Sequence, residues 1–265
     1  MIPAKLKHIG KLLLQPEYRR YNLALKTLFN TPRYTNSSTN LLGSEIELVD
    51  AASFLFMYGE IFEQQIYKFK AKHEQPRIID CGANIGLSII YFKQLYPNSK
   101  IIGFEPDVKV FKVLQKNIQT WGLSQVELVK KAVWDSETTL EFMSEGADAG
   151  RITQLETDKE RYQVQTVRLR DYLNDKVDFL KLDIEGAETE VMKDCQDLLK
   201  NVENLFVEYH SFVNQTQTLA TIVDILSKAN FRLHIHPPVT SPQPFYYRNV
   251  HLGMDMQLNI FAFRE

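Results

Sequence analysis

Three acidic residues each close a short apolar run, and their neighbours decide what they could bind. The first, Asp80, lies in Ile78-Ile-Asp-Cys-Gly-Ala-Asn-Ile-Gly86, a strand-like run that enters a glycine turn and then a helix-like segment. In a doubly wound sheet such a turn falls at the carboxyl edge, where ligands bind. Gly82 and Gly86 permit a tight bend and close approach of a ligand to the backbone. A dinucleotide site uses a similar turn to set pyrophosphate on a helix amino terminus, a design that gains nothing from a carboxylate at the strand tip. A negative Asp80 repels phosphate and suits a cationic ligand carrying an ammonium or a sulfonium. That favours S-adenosylmethionine over a nicotinamide dinucleotide.

Glu105 ends the next apolar run, Lys100-Ile-Ile-Gly-Phe-Glu105, and Pro106 and Asp107 follow at the start of a helix-like stretch. An acid there can accept both hydroxyl hydrogens of a ribose, a role it also performs in NAD enzymes, so alone it does not discriminate. Asp135 ends Lys131-Ala-Val-Trp-Asp135, where its carboxylate could accept from an adenine amino group. Any one such acid is commonly a helix cap or turn former; their coincidence with D-x-G-x-N-x-G carries the functional reading. The expected cofactor set is Asp80, Gly82, Ala83, Asn84, Gly86, Glu105, Pro106, Asp135 and Asp183.

Asp183 sits at the tip of a fourth strand in Lys181-Leu-Asp-Ile-Glu-Gly-Ala-Glu188, beside the switch point of the sheet and so near the reacting methyl. Methyl transfer needs a nucleophile aligned with the sulfonium methyl, and a base for the hydroxyl proton adds to that. His210, after Val207-Glu208-Tyr209, is the expected base, with an unperturbed pKa near about 6.5; a structural histidine bonded to a carbonyl is the alternative. Asp183 and His210 are thus the expected catalytic residues. Glu185 and Glu188 read equally as helix-start acids. Glu208 with Asp183 could hold Mg²⁺, although two carboxylates are thin support and no metal site is assigned. His234 and His236 alternate on one strand and read as a solvated face.

The elements that must position these groups are visible as a change of texture at Pro76. Beyond it, short apolar strands alternate with amphipathic helices, the pattern of a largely parallel sheet covered on both faces. Strands are expected at Arg77–Asp80, Lys100–Glu105, Val126–Val133, Asp178–Asp183 and Asn204–Glu208, with a closing antiparallel pair at Phe231–His236 and Met256–Phe263. The rhythm breaks over residues 135–176, where Thr139–Phe142 and Gln163–Arg168 alternate like an inserted hairpin or edge strands. Residues 1–75 read as an appended helical or lid region and 76–265 as the ligand-binding domain. Within the first region a helix is expected to about residue 30, its basic face carrying Lys5, Lys7, Lys11, Arg19 and Arg20 and its apolar residues including Leu12 and Leu13. A strand is expected at Ser44–Val49 and a helix at Phe62–Lys72. Phe54, Phe56, Tyr58, Phe62 and Tyr67 serve either as core or as a lid.

Composition excludes several classes. The 31 Lys+Arg against 33 Asp+Glu leave a formal charge of -2, which gives no electrostatic footprint for nucleic acid. With 44% hydrophobic and 24% charged residues the chain should fold rather than remain disordered. No apolar run approaches a membrane span, no secretion signal is visible, and Cys81 and Cys195 offer neither a disulfide framework nor a metal knuckle. A cytoplasmic protein is expected.

The segments IIDCGANIGLSIIYF, IIGFEPDVKVFKVLQKNI, KKAVWD, VDFLKLDIEGAETEVM and LFVEYH, in that order, resemble the FkbM family of class I S-adenosylmethionine-dependent methyltransferases over roughly residues 44–210. The string K-x-D-I-E-G-A-E is the most family-specific. The resemblance implies a Rossmann-like, seven-stranded, mostly parallel α/β sheet with an antiparallel terminal strand and an amino-terminal helical cap. It also implies methyl transfer to an oxygen of a sugar or related small molecule, a saccharide or glycosylated metabolite. Where the family often carries T-L-D-D-x-L, this chain reads Arg168-Leu-Arg-Asp-Tyr-Leu173, with Arg170 in place of the first acid, which leaves acceptor identity open. The competing readings are an NAD-type oxidoreductase or epimerase, disfavoured by Asp80, and a cofactor-binding partner subunit without turnover.

Overall fold

The protein was analysed as a computed structural model, which describes residues 15–143, 151–152, 161–239 and 241–264. Lys5, Lys7, Lys11, Leu12 and Leu13 lie outside the described residues. The leading helix is described from Pro16 to Asn30 (α1), with proline in its first turn, where a missing amide is harmless. A short antiparallel pair, Ser37–Thr39 (β1) and Ile46–Leu48 (β2), leads to helix Ala51–Tyr58 (α2). Asp50 caps α2 by accepting from the Ser53 amide at 2.9 Å.

The helix expected at Phe62–Lys72 does not form. After α2 the chain makes a π-helical turn at Gly59–Glu63 and then runs irregularly to Pro76. The apolar spacing of Phe62, Ile66 and Phe69 instead serves an irregular segment packed on the core, its rings meeting Tyr91, Phe92 and Phe179.

From Arg77 the expected alternation holds: Arg77–Cys81 (β3), Leu87–Leu95 (α3), Lys100–Phe104 (β4), Val108–Thr120 (α4) and Val126–Val129 (β5). The expected single strand over Val126–Val133 is two strands. β5 stays in the main sheet, whereas Ala132–Trp134 (β6) pairs with Arg161–Arg168 (β9) in a second sheet. That sheet also contains Thr139–Met143 (β7) and Arg151–Ile152 (β8), so the two alternating stretches in the rhythm break are antiparallel partners. The chain returns to the main sheet with Val177–Leu182 (β10), Glu188–Cys195 (α5), Val202–Phe212 (β11), Leu219–Lys228 (α6), Arg232–Val239 (β12) and Met254–Phe263 (β13).

The main sheet has seven strands in the order β12-β13-β11-β10-β3-β4-β5, parallel except for β13, which inserts antiparallel between β11 and β12. β3 and β10 are buried over nearly their whole length, as strands covered on both faces must be, although they carry the charged residues Asp80 and Lys181. One buried cluster joins Ile78, Ile89, Phe92 and Leu114 to Leu28, Ile46, Leu48, Phe54 and Tyr67 of the first 75 residues. The other holds Leu180, Leu182, Val191, Leu205 and Ile222. Asn117 of α4 ties the amino-terminal pair down: its side chain donates to Glu47 O at 3.0 Å and Ile85 O at 2.9 Å and accepts from Glu47 N at 2.8 Å. No helix among the described residues is long and apolar enough to cross a membrane.

Candidate active site

The order reverses between β3 and β10, and there the carboxyl ends of β3, β4, β10 and β11 surround a cavity of about 310 Å³. Gly82, Ala83, Asn84, Glu105, Pro106, Asp183 and His210 of the expected set line it. Asp80, Gly86 and Asp135 are not among its lining residues.

Asp80 is completely buried at the tip of β3, beneath the turn. Ser88 Oγ donates to its Oδ2 and Lys181 Nζ lies 3.4 Å from its Oδ1. Its charge is therefore balanced by a buried lysine on the adjacent strand, in register with it. The expectation that it confronts the sulfonium directly is corrected: it lies outside the cavity lining, next to Lys181, which does line it. Lys181 also donates to Gly82 O at 2.7 Å and Asp183 Oδ2 at 2.9 Å. Burial alone would lower its pKa, but Asp183 and Asp80 outweigh that and raise it well above the usual lysine value. Lysine and aspartate two residues apart on one strand share a face, which was the available signal for this role.

Gly86 starts α3 in the left-handed conformation, and a Cβ there would meet Leu114 Cδ1 at 2.8 Å, so its demand is helix packing rather than ligand approach. Asp135 is turned aside because β6 has left the main sheet; its carboxylate accepts from Ser136 Oγ at 2.7 Å. The wall it was expected to supply is made by Lys131, Ala132 and Val133, with Phe142 of β7.

Glu105 is held by two backbone amides, Asn84 N to Oε2 at 3.1 Å and Asp107 N to Oε1 at 2.8 Å. Burial pushes its pKa up to about 8, against those hydrogen bonds. A carboxylate that must be charged to accept ribose hydroxyls then competes with a proton. Methyl-donor affinity is expected to fall up to about tenfold for each pH unit below 8 and to level off above it. Glu105→Gln should flatten that profile and weaken binding about tenfold to a hundredfold at high pH, the value of a charge-assisted hydrogen bond. Calorimetry with S-adenosylhomocysteine between pH 6.5 and 9 measures both.

At the other end of the cavity lie Glu60, Asp183, Glu185, Glu208, His210 and Gln257. Glu185 takes a left-handed backbone conformation (φ 56°) just before Gly186. Glu188, almost fully buried, accepts from Ile184 N at 3.2 Å and Gly186 N at 3.0 Å, and its Oε1 lies 2.9 Å from His210 Nδ1. It caps the turn before α5, as a helix-start acid does, and it also holds the histidine. His210 Nε2 faces Glu185 Oε2 at 3.7 Å. Burial works against a charged ring, but Glu185 and Glu188 prevail and raise its pKa well above the usual value. The ring's pKa is thus shifted upward from the ordinary value near about 6.5 expected for a base at this position. Burial and then Asp183 push Glu208 to about 8, and burial pushes Glu60 to about 7. Gln257 Nε2 donates to Glu208, and Asn259 Nδ2 donates to Glu60 at 3.3 Å.

The aromatic stretch divides. Phe54 is core, while Phe56 and Tyr67 line the cavity, Phe56 with much of its ring exposed. Arg170 lies in the turn Leu169–Tyr172 and points away, bonding Asp197 at 3.1 Å and the Asp194 carbonyl, so it pins the end of α5 rather than shaping the cavity. His234 and His236 are exposed on β12.

The family described as the methyltransferase FkbM domain matches residues 80–233, more than half of the chain. The chain belongs to the FkbM methyltransferase family. Methyltransferase sdnD of Sordaria araneosa is 30% identical over 187 residues, covering 56% of this FkbM chain and 72% of that protein. The 2-O-methyltransferase NoeI of Sinorhizobium fredii (strain NBRC 101917 / NGR234) is 26% identical over 155 residues, 51% of this chain and 63% of its own length. A solved FkbM methyltransferase from Methylobacillus flagellatus KT shares the fold with a TM-score of 0.50 at 15% identity, over 92% of this chain and 59% of that one. The chain thus spans less than two thirds of these last two proteins. The NAD-type oxidoreductase reading falls with the family match. The residues also fit S-adenosylmethionine, the family's methyl donor. Glu105 offers acceptors for a ribose, Val110, Ala132, Val133 and Phe142 form an apolar wall suited to adenine, and the acidic end suits a sulfonium.

Proposed function

We propose that this FkbM methyltransferase methylates a hydroxyl oxygen of a small, oxygen-rich acceptor, a saccharide or glycosylated metabolite. The observation that carries this reading is the composition of the inner end of the cavity. Asp183, Glu185, Glu208, His210 and Gln257 offer several hydrogen-bonding groups to neighbouring hydroxyls and repel an anionic acceptor. The relative named as a 2-O-methyltransferase supports an oxygen acceptor.

When bound, S-adenosylmethionine supplies an electrophilic methyl group on a cationic sulfur. The chain's own part is positioning and proton transfer. Asp183, fixed by Lys181 at 2.9 Å, orients the acceptor hydroxyl at the tip of β10. Glu208 lies next along the sheet with Oε1 held by Gln257, and once ionised, as pH rises toward its pKa of about 8, it takes the hydroxyl proton as the C–O bond forms and the methyl–sulfur bond breaks. Where β11 ends, the His210–Glu188 pair holds the surrounding carboxylates in place. Phe56, Met57 and Tyr67 line the same cavity and help to exclude water from it.

The test is incubation with S-adenosylmethionine and a panel of glycosides, amines and thiols, with release of S-adenosylhomocysteine and product mass both measured. Methylation of glycoside hydroxyls is expected. Methylation of amines or thiols alone would overturn the oxygen reading, and tight binding of the donor with no turnover on any acceptor would favour the partner-subunit alternative. Glu208→Gln should lower turnover by about 10² to 10⁴ while leaving S-adenosylhomocysteine affinity within a few-fold, the usual signature of a lost general base. Undiminished turnover in that variant would move the base role elsewhere, His210 first.

A further inference from the structure

We propose that Asp183, Glu185 and His210 form a binding site for a divalent transition-metal ion such as Mn²⁺, oriented from behind by Glu188. One ligand atom from each of the three residues can be chosen so that all lie within 4.8 Å of one another. Opposed ligands at bonds of about 2.1 Å stand about 4.2 Å apart, so small side-chain shifts would close the three on one ion.

The histidine sets this cluster apart from an ordinary group of surface acids. Its side chain is 2% exposed, its Nδ1 is engaged by Glu188 Oε1 at 2.9 Å, and its Nε2 makes no hydrogen bond among the described residues while lining the cavity. A carboxylate on one ring nitrogen fixes the tautomer that presents the other to a metal, the usual outer-shell arrangement for ligating histidines. Glu188 is itself anchored by the Ile184 and Gly186 amides, so the imidazole is oriented from rigid backbone. Glu185 reaches the same point from the turn after β10, where its left-handed conformation precedes Gly186.

The donor set selects the ion. One imidazole nitrogen with two carboxylate oxygens suits Mn²⁺ or a neighbouring first-row ion better than Mg²⁺, which favours oxygen ligands and retained waters. Three protein ligands leave positions open toward the cavity, where two adjacent oxygens of an acceptor could bind. That use rests on the O-methylation reading above; the site itself does not. The clustered ligands are Asp183, Glu185 and His210, not the Glu208 and Asp183 pair that the sequence offered as a thinly supported Mg²⁺ possibility, and Gln257 engages Glu208.

The test uses the full chain stripped with EDTA and titrated with Mn²⁺ by electron paramagnetic resonance and calorimetry. One saturable Mn²⁺ per chain is expected. His210→Ala and Glu185→Gln should each weaken it at least about tenfold, and Glu188→Gln about tenfold to a hundredfold as an outer-shell loss. Asp135→Asn, outside the cavity, should leave it unchanged. Thermal melting and S-adenosylhomocysteine affinity are measured on the same samples, so that a variant that fails to fold is recognised and set aside in favour of Glu188→Gln. No saturable binding, or binding untouched by all three substitutions, overturns the site. If stripped protein binds S-adenosylhomocysteine and methylates glycosides yet takes up no Mn²⁺, the ion falls and the methyltransferase reading stands. Saturable Mn²⁺ binding without glycoside methylation would support the site and count against the acceptor reading.

Discussion

Gly82→Ala is expected to remove detectable methyl-donor binding and to destabilise the fold by several kcal/mol. Gly82 has φ 93°, and a Cβ built on it would stand 1.9 Å from the backbone oxygen of Asp183. That oxygen belongs to a chain tied to β3, with Asp183 N donating to Cys81 O at 3.1 Å, so the methyl can be admitted only by separating the tips of β3 and β10. Overpacking of this kind costs about 1–3 kcal/mol, and a left-handed backbone adds about 1–3 kcal/mol for a residue other than glycine. The same separation would disturb the Lys181 contact with Gly82 O and the wall that the donor must meet. Gly43→Ala is the control. It has nearly the same φ, 96°, with nothing within 4 Å of the added carbon, so it should show the conformational cost alone. Urea unfolding and calorimetry on the two variants separate the terms; equal destabilisation would mean the contact at Gly82 is relieved cheaply.

Lys181→Met should be the most damaging change that preserves side-chain volume. The lysine lies against Asp80 and Asp183, and Asp80 Oδ1 has no hydrogen bond of its own. Removing one partner of a buried ion pair costs about 3–5 kcal/mol because the other charge stays buried. Asp80→Asn added to Lys181→Met removes the stranded charge and should restore much of the stability. Activity should stay low in the double variant, since Asp183 loses the contact that orients it. If Lys181→Met alone melts within a degree or two of the parent, Asp80 is neutralised by something other than Lys181.

β3, β4 and β10 were legible because a short apolar stretch in each, Ile78 and Ile79, Ile101 and Ile102, and Phe179 and Leu180, leads to an acid at the strand tip. Glu105 and Asp183 could be placed in the site for the same reason: a strand tip at the switch point is a position the period of two fixes. Asp135 could not be placed that way, because Val126–Val133 reads as one strand straight through Lys130 and Lys131, the two residues at which the chain leaves the main sheet for the second. The segment Phe62–Lys72 misled through a spacing that suits a helix face and also suits an irregular stretch laid across a core. The upward pKa shift of His210 was illegible for a different reason. It depends on Glu185 and Glu188, more than 20 residues earlier in the chain, which only the adjacency of β10 and β11 brings near.

The antiparallel insertion of β13 has a consequence for the order in which the molecule assembles. The donor half of the cavity is built from contacts between neighbouring units, such as Ala83 N to Phe104 O, and can form early. The acidic end needs residues 254–263 docked on β11, because Gln257 and Asn259 reach Glu208 and Glu60 from there, the latter contact spanning 199 residues. Such distant closures are slow to form. The contacts at the Glu105 end are thus shorter in sequence than those at the acidic end, so the expected order of assembly is the first before the second, which hydrogen exchange during refolding would measure.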